Sequence, residues 1–133
     1  MSKATERTAT VWPALRYRDA RAAIRFLVDA FGFEEVASYA GADDSIVVHA
    51  ELRWPEGGGV MLGSDRDDSD IGAPPGVGSI YVVSSDPDRL YARAQAAGAE
   101  VVREIRDEDY GSRGFSARDP EGVYWSFGTY AGE

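Results

Sequence analysis

The sequence predicts an α+β protein built from two copies of one βαβββ module, and three observations carry that expectation. Trp54-Pro55-Glu56-Gly57-Gly58-Gly59-Val60-Met61-Leu62-Gly63 is echoed by Asp119-Pro120-Glu121-Gly122-Val123-Tyr124-Trp125-Ser126-Phe127-Gly128, the second Pro-Glu-Gly lying 65 positions after the first. Proline fixes φ and glycine accepts positive φ, so each copy reads as a turn feeding a short strand. Two amphipathic stretches each start after an aspartate (Asp19, Asp86) and stop at a glycine (Gly32, Gly98), the punctuation of capped helices. Fifteen glycines and six prolines promise many tight turns and hence a β-rich chain.

Taken in order, residues 1–9 read as a frayed tail. Val11 to Tyr17 is a strand with Pro13 near its start, where a missing N–H is tolerated on an edge. Asp19 caps a helix over Ala20–Ala30, whose Ala23, Phe26, Leu27 and Ala30 recur at helical spacing, with Ile24 and Phe31 widening the stripe. Strands follow at Phe33–Tyr39, Ile46–Trp54 and Gly59–Gly63, completing a first module over 10–63. Residues 64–77 form an acidic, Gly/Pro-rich linker. Its Asp65, Asp67, Asp68 and Asp70 lack the glycine and distal glutamate of a calcium loop and read as solvated. The second module, 78–130, repeats the order. A strand spans Ser79–Val83; a helix starts at Pro87 and buries Leu90, Tyr91, Ala94 and Ala97; a strand spans Val101–Ile105. A polar loop, Asp107–Gly114, then leads to strands at Phe115–Arg118 and Tyr124–Gly128.

At 133 residues the chain suffices for one domain with a real core, and its formal net charge of −9 argues against nucleic acid and anionic membrane surfaces as partners. The absence of cysteine removes disulfides and thiol chemistry and fits a reducing, cytoplasmic setting. The N-terminus has no apolar segment of the signal-peptide kind. Gly-x-Ser-x-Gly, His-Glu-x-x-His, P-loop and dinucleotide-binding patterns are absent.

The paired modules, Phe31-Gly32 at the end of the first helix, and Tyr110-Gly111-Ser112-Arg113-Gly114-Phe115 leading into Asp119-Pro120-Glu121-Gly122-Val123-Tyr124-Trp125 resemble the vicinal oxygen chelate superfamily. That group includes glyoxalase I, extradiol dioxygenases and bleomycin-resistance drug-binding proteins. The resemblance covers Thr10 to Tyr130, with Val123 where the family's turn usually carries Asn or His. It implies a cupped mixed sheet with helices on its outer face, and metal ligands on the first and last strand of each module. Carried over, those positions are Trp12, Met61, Ser79 and Ser126, none of which is His, Asp or Glu. No metal and no cofactor is therefore expected.

Strand alternation says what faces the cup instead. Trp12 brings Ala14 and Arg16; Met61 brings Gly59; Ser79 brings Tyr81 and Val83; Ser126 brings Tyr124. If Ala50 and Leu52 cover the helix, then His49, Glu51 and Arg53 line the cup. Tyr110 and Arg113, beside the hinge Gly111, are placed to stack on a ligand and pair an anion. The ligand-binding candidates are thus Trp12, Arg16, His49, Glu51, Arg53, Met61, Ser79, Tyr81, Tyr110, Arg113, Tyr124 and Ser126, with His49, Glu51 and Tyr110 as catalytic candidates. Plain structural roles stand beside these. His49 serves equally as a hydrogen-bonding strand residue, Glu51 and Arg53 as a solvated ladder, Arg113 as a partner for its acidic neighbours, and Trp125 and Phe127 read as core. The resemblance implies a non-metal protein that sequesters a small aromatic or cationic molecule, as bleomycin-resistance proteins do. Its alternative is a glyoxalase-like lyase or isomerase, or a dioxygenase-type enzyme, with a non-standard or absent metal site. It also implies a homodimer, the cup being completed within a chain or between chains.

Overall fold

The computed structural model describes residues 9–66 and 72–133, so the tail up to residue 8 and the linker acids Asp67, Asp68 and Asp70 lie outside the described residues. The first module runs β1 (Ala14–Tyr17), α1 (Ala20–Phe26) with a π-helical turn over Leu27–Phe31, β2 (Glu34–Ala40), β3 (Val47–Arg53) and β4 (Gly59–Ser64). The second runs β5 (Ser79–Val83), α2 (Pro87–Ala96), β6 (Glu100–Asp107), β7 (Arg113–Arg118) and β8 (Tyr124–Gly128). Each module forms its own four-stranded mixed sheet, ordered β1-β4-β3-β2 and β5-β8-β7-β6. In both, the first strand pairs in parallel with the last and the other neighbours are antiparallel.

The caps form as the sequence predicts. Asp19 accepts from the Ala22 amide at 3.1 Å and Asp86 from the Arg89 amide at 3.2 Å, each worth about 1 kcal/mol. Gly32 closes the first helix in the left-handed region at φ +86°. The last turn differs from the regular α-helix expected to Ala30: it widens, with the Phe33 amide reaching Leu27 O at 3.2 Å. The wider turn carries Phe31 against Phe26, Trp125 and Phe127, with ring centroids 5.2, 5.8 and 4.7 Å away. Strand boundaries also move, most of them by one or two residues. The β1 ladder starts at Ala14 rather than Val11, because Pro13 has no N–H to give and Trp12 turns back to donate to Ala9 O at 2.9 Å. The expected polar loop shrinks to 108–112, since Asp107 and Arg113 already pair as strand residues. Its tight turn is closed by the Glu108 amide on Ser112 O at 2.7 Å.

The helix-bearing faces of the two sheets share one core. Trp125 and Phe127 are 0% and 1% exposed, as their alternation with Ser126 predicts. They pack against Phe31, Phe33 and Trp54 of the other module. Such tilted and edge-on aromatic pairs add about 0.5–1.5 kcal/mol each beyond the area they bury. Because these faces turn toward each other, the opposite faces of the two sheets look outward in different directions.

The two Pro-Glu-Gly turns complete the join. Each turn belongs to one module and grips the strand-to-helix corner of the other. Glu121 accepts from the Arg18 and Asp19 amides at 2.7 and 2.8 Å. Glu56 accepts from the Ser85 amide at 3.1 Å through both oxygens. Behind them, Trp54 Nε1 donates to Val83 O at 2.8 Å, and Asp119 accepts from Tyr17 Oη at 2.6 Å and Trp125 Nε1 at 3.0 Å.

Candidate ligand-binding faces

Strand alternation places the candidate side chains on the outward faces. On β3, Ala50 and Leu52 are fully buried against the helix side, which leaves His49, Glu51 and Arg53 outward; Val47 is also buried although two residues before His49, because the ladder slips between them, with Tyr39 opposite His49 and Ala40 opposite Val47. Register then aligns them with their neighbours. Ala14, Met61, Glu51 and Ala37 make one row across the first sheet; Arg16 sits beside Gly63, and Tyr39 opposite His49. A shallow cavity of about 210 Å³ lies on this face, lined by Arg16, His49 and Met61 among others. His49 Nε2 lies 2.9 Å from Glu51 Oε2, with the Tyr39 ring stacked on the imidazole at 6.3 Å. Arg16 donates to Asp65 at 3.1 Å and Arg53 to Glu34 at 3.1 Å through Nε.

The second face repeats the geometry with different chemistry. Tyr81, Ser126, Ser116 and Arg103 form the row equivalent to Ala14–Met61–Glu51–Ala37, with Ser79 beside Tyr124 in the row below. The Ser116 and Ser126 hydroxyls are 2.7 Å apart. Tyr81 lies over Gly128, where a Cβ would come within 2.8 Å of its hydroxyl, and that hydroxyl donates to Tyr130 O at 2.6 Å. A cavity of about 150 Å³ is lined here by Tyr81, Arg103, Glu108, Tyr110, Ser116 and Ser126, with other residues. Arg118 stacks over Tyr124, 5.3 Å from the ring centre.

The candidates therefore divide. Arg16, His49, Glu51, Arg53 and Met61 share one face, and Ser79, Tyr81, Tyr110, Tyr124 and Ser126 belong to the other. Trp12 lies over Gly59, whose Cβ would meet the indole at 2.8 Å, so its ring covers the edge of the first face from outside the ladder. Arg113, expected to pair an anion on the ligand, lies on neither outward face. It has the parity of buried Phe115, and its guanidinium is taken by Asp88 at 2.8 and 2.9 Å and Asp107 at 3.2 Å. Hydrogen bonds from Arg113 hold the Asp88 carboxyl below its ordinary range, and those of Asp88, then Asp107, push the guanidinium further up. It is a structural cation on the helix side. Tyr110 and His49, both catalytic candidates from sequence, stand on different faces and do not meet. Arg103, Glu108 and Ser116 were missed. The alternation rule applied to β7 from Ser126 finds Ser116, but the register shifts within β6 hide Arg103.

Of the metal positions implied by the resemblance, Met61 lies beside Ala14 and Ser126 beside Tyr81 in the ladders, so Trp12 and Ser79 stand one pleat pair earlier along the chain. An indole, a thioether and two hydroxyls do not make the imidazole and carboxylate set that a divalent ion of this kind requires. Among the described residues no three of His, Cys, Asp or Glu cluster closely enough to hold one.

The model of the Glyoxalase/Bleomycin resistance protein/Dioxygenase superfamily matches residues 9–127. The chain belongs to this superfamily. The superfamily's fold is also seen in TioX from Micromonospora sp. ML1, which superposes with a TM-score of 0.78 at 30% identity over 92% of this chain and 99% of that one. A glyoxalase I mutant from Zea mays, at 22% identity, matches in fold with a TM-score of 0.69 over 90% of this chain and 44% of the plant protein. In sequence, Uncharacterized protein Mb0911c of Mycobacterium bovis is 36% identical across 87% of this chain and 80% of its own length. No helix among the described residues is long and apolar enough to cross a membrane.

Proposed function

We propose that this superfamily member binds a small organic molecule, aromatic or cationic, against its outward sheet faces and holds it without a metal, as a sequestering protein. The observation that carries the reading is the set Trp12, Met61, Ser79 and Ser126 at the positions where the resemblance implies metal ligands, with Ala14 beside Met61 on one sheet and Tyr81 beside Ser126 on the other. Those sites offer packing surface and hydroxyl groups in place of ion-binding donors. Aromatic walls with a few convergent polar groups are the ordinary make-up of a small-molecule site.

Both cavities are open to one side, so a ligand on either face keeps part of its surface uncovered. A homodimer in which the first face of one chain meets the second face of its partner would supply the missing wall, and the equal strand order of the two sheets supports that match. Sedimentation equilibrium at micromolar concentration tests it, and a monomer removes the shared site. Native mass spectrometry with metal analysis, on protein purified without chelator, tests the binding reading. A bound organic mass without stoichiometric metal is expected. A divalent ion near one per chain overturns it.

A second reading, a lyase or isomerase, is favoured by one contact. With Glu51 holding Nε2 of His49 at 2.9 Å, the neutral imidazole offers Nδ1 as a proton acceptor. His49→Ala abolishing turnover while leaving binding intact would select this reading over sequestration.

A further inference from the structure

We propose that the outward face of the second sheet selects an aromatic carboxylic acid, with Arg103 as the counter-ion of its carboxylate. The inference rests on the outward faces being the binding surface and names the chemistry one of them takes. Arg103 stands opposite Ser116, Ser116 opposite Ser126, and Ser126 opposite Tyr81, so a guanidinium, two hydroxyls and a phenol ring lie in one row across the sheet.

The hydrogen bonds already made leave a defined remainder. Two hydroxyls joined by one hydrogen bond at 2.7 Å keep one O–H free for an outside acceptor. Tyr81 has spent its O–H on Tyr130 O, so its ring is fixed and offers a stacking surface, half exposed at 47%. Tyr110, 62% exposed and set edge-on against Tyr130 at 5.8 Å, forms a second aromatic wall. The space between, about 150 Å³, is of the size that holds one aromatic ring.

Charge then chooses the substituent. Arg106 Nε takes the Glu108 carboxylate at 2.8 Å, with Nη2 on the second oxygen at 3.4 Å. Arg103 Nη1 is 3.8 Å from that carboxylate, beyond hydrogen-bonding distance. Glu108 is thus hydrogen-bonded by Arg106 and in ion-pair range of Arg103, so two guanidiniums share one carboxylate and one positive charge is left over beside this cavity. A planar guanidinium fork matches a carboxylate through two parallel hydrogen bonds. The chain's overall negative charge acts at long range and is screened beyond about 10 Å at ordinary salt, so the contact is decided by the local cation.

The test titrates the full chain calorimetrically with benzoate, benzyl alcohol and benzylamine, one aromatic ring carrying an anionic, a neutral and a cationic group. Benzoate is expected to bind roughly tenfold more tightly than the alcohol, the gain of a charge-assisted hydrogen bond. Arg103→Gln should erase that advantage while changing the alcohol's affinity by less than about twofold, a difference that misfolding would not produce. Glu108→Gln, which removes the competing carboxylate, should tighten benzoate further. Amine binding equal to or tighter than benzoate, or an acid preference that survives Arg103→Gln, overturns the proposal and leaves small-molecule binding standing. Failure of all three probes to bind overturns both.

Discussion

The two modules carry the same turn and fasten it differently. In the first, the residue before Pro55 is Trp54, which donates one hydrogen bond to Val83 O and otherwise fills space. In the second, the residue before Pro120 is Asp119, 4% exposed, which accepts from five donors: the amides of Glu121, Gly122 and Val123, the Tyr17 hydroxyl and the Trp125 indole. The backbone of the turns is alike. Trp54 N bonds Gly58 O and Gly57 N bonds Trp54 O, just as Asp119 N bonds Val123 O and Gly122 N bonds Asp119 O. One turn geometry therefore tolerates either a hydrophobic plug or a polar hub. A buried carboxylate is admissible here because its hydrogen-bonding capacity is filled.

The comparison is broken most sharply by truncating the two equivalent residues. Asp119→Ala leaves the Tyr17 hydroxyl, the Trp125 indole and three amides without their acceptor. It should cost about 3–5 kcal/mol in urea unfolding, or prevent folding. Trp54→Phe keeps an aromatic ring there, loses one hydrogen bond and part of the indole's packing, and should cost about 1–3 kcal/mol. Equal losses would show that the hub is no more than a plug.

The next test concerns the glutamates that reach across. Glu121 serves two amides and Glu56 one amide and a hydroxyl, so each substitution to alanine should cost about 1–2 kcal/mol. The two clamps share no partner, Glu121 holding Arg18 and Asp19 and Glu56 holding Ser85, and the double variant should lose the sum within about 0.5 kcal/mol. A double loss well short of the sum would mean that one clamp alone joins the modules.

A pH prediction sharpens the asymmetry further. Burial, chiefly, and the neighbouring Asp119 push the Tyr17 phenol far above its ordinary value of 10.0. The unfolded phenol therefore ionises before the folded one. The stability that neutral Tyr17 contributes is complete below pH 10.0 and falls as pH rises above it. Tyr17→Phe should flatten that alkaline decline in the unfolding midpoint, and an unchanged slope would remove Tyr17 as its source. The smallest effect is expected at Arg113, whose replacement by alanine should leave ligand affinity unchanged, because its guanidinium is tied to Asp88 and Asp107 on the helix side.

The candidate faces were largely legible before the structure, because alternation is local. Ala50 and Leu52 buried with His49 and Glu51 outward, and Trp125 and Phe127 buried with Ser126 outward, follow from the period of a strand once one residue's side is known. Alternation failed where a strand's extent was misread. Taking Val11 as the start of β1 put Trp12 in the ladder, and starting β7 at Phe115 concealed that Arg113 shares its parity. Irregular register in β6 hid Arg103, since a bulge resets the alternation in a way no residue pattern announces.

By itself, the sequence determined the two modules, their capped helices and the chemistry of each strand face, all of which depend on contacts within a few residues or on repetition at a fixed offset. Only the tertiary structure decided that the helix-bearing faces share one core, that the candidate residues fall on two faces looking apart, and that Glu56 and Glu121 each grip the other module. Those facts depend on how two separately formed sheets pack. That packing is set by long-range aromatic burial and by the satisfaction of Asp119, and residues more than a hundred positions apart, such as Tyr17 and Asp119, leave no local pattern of their meeting.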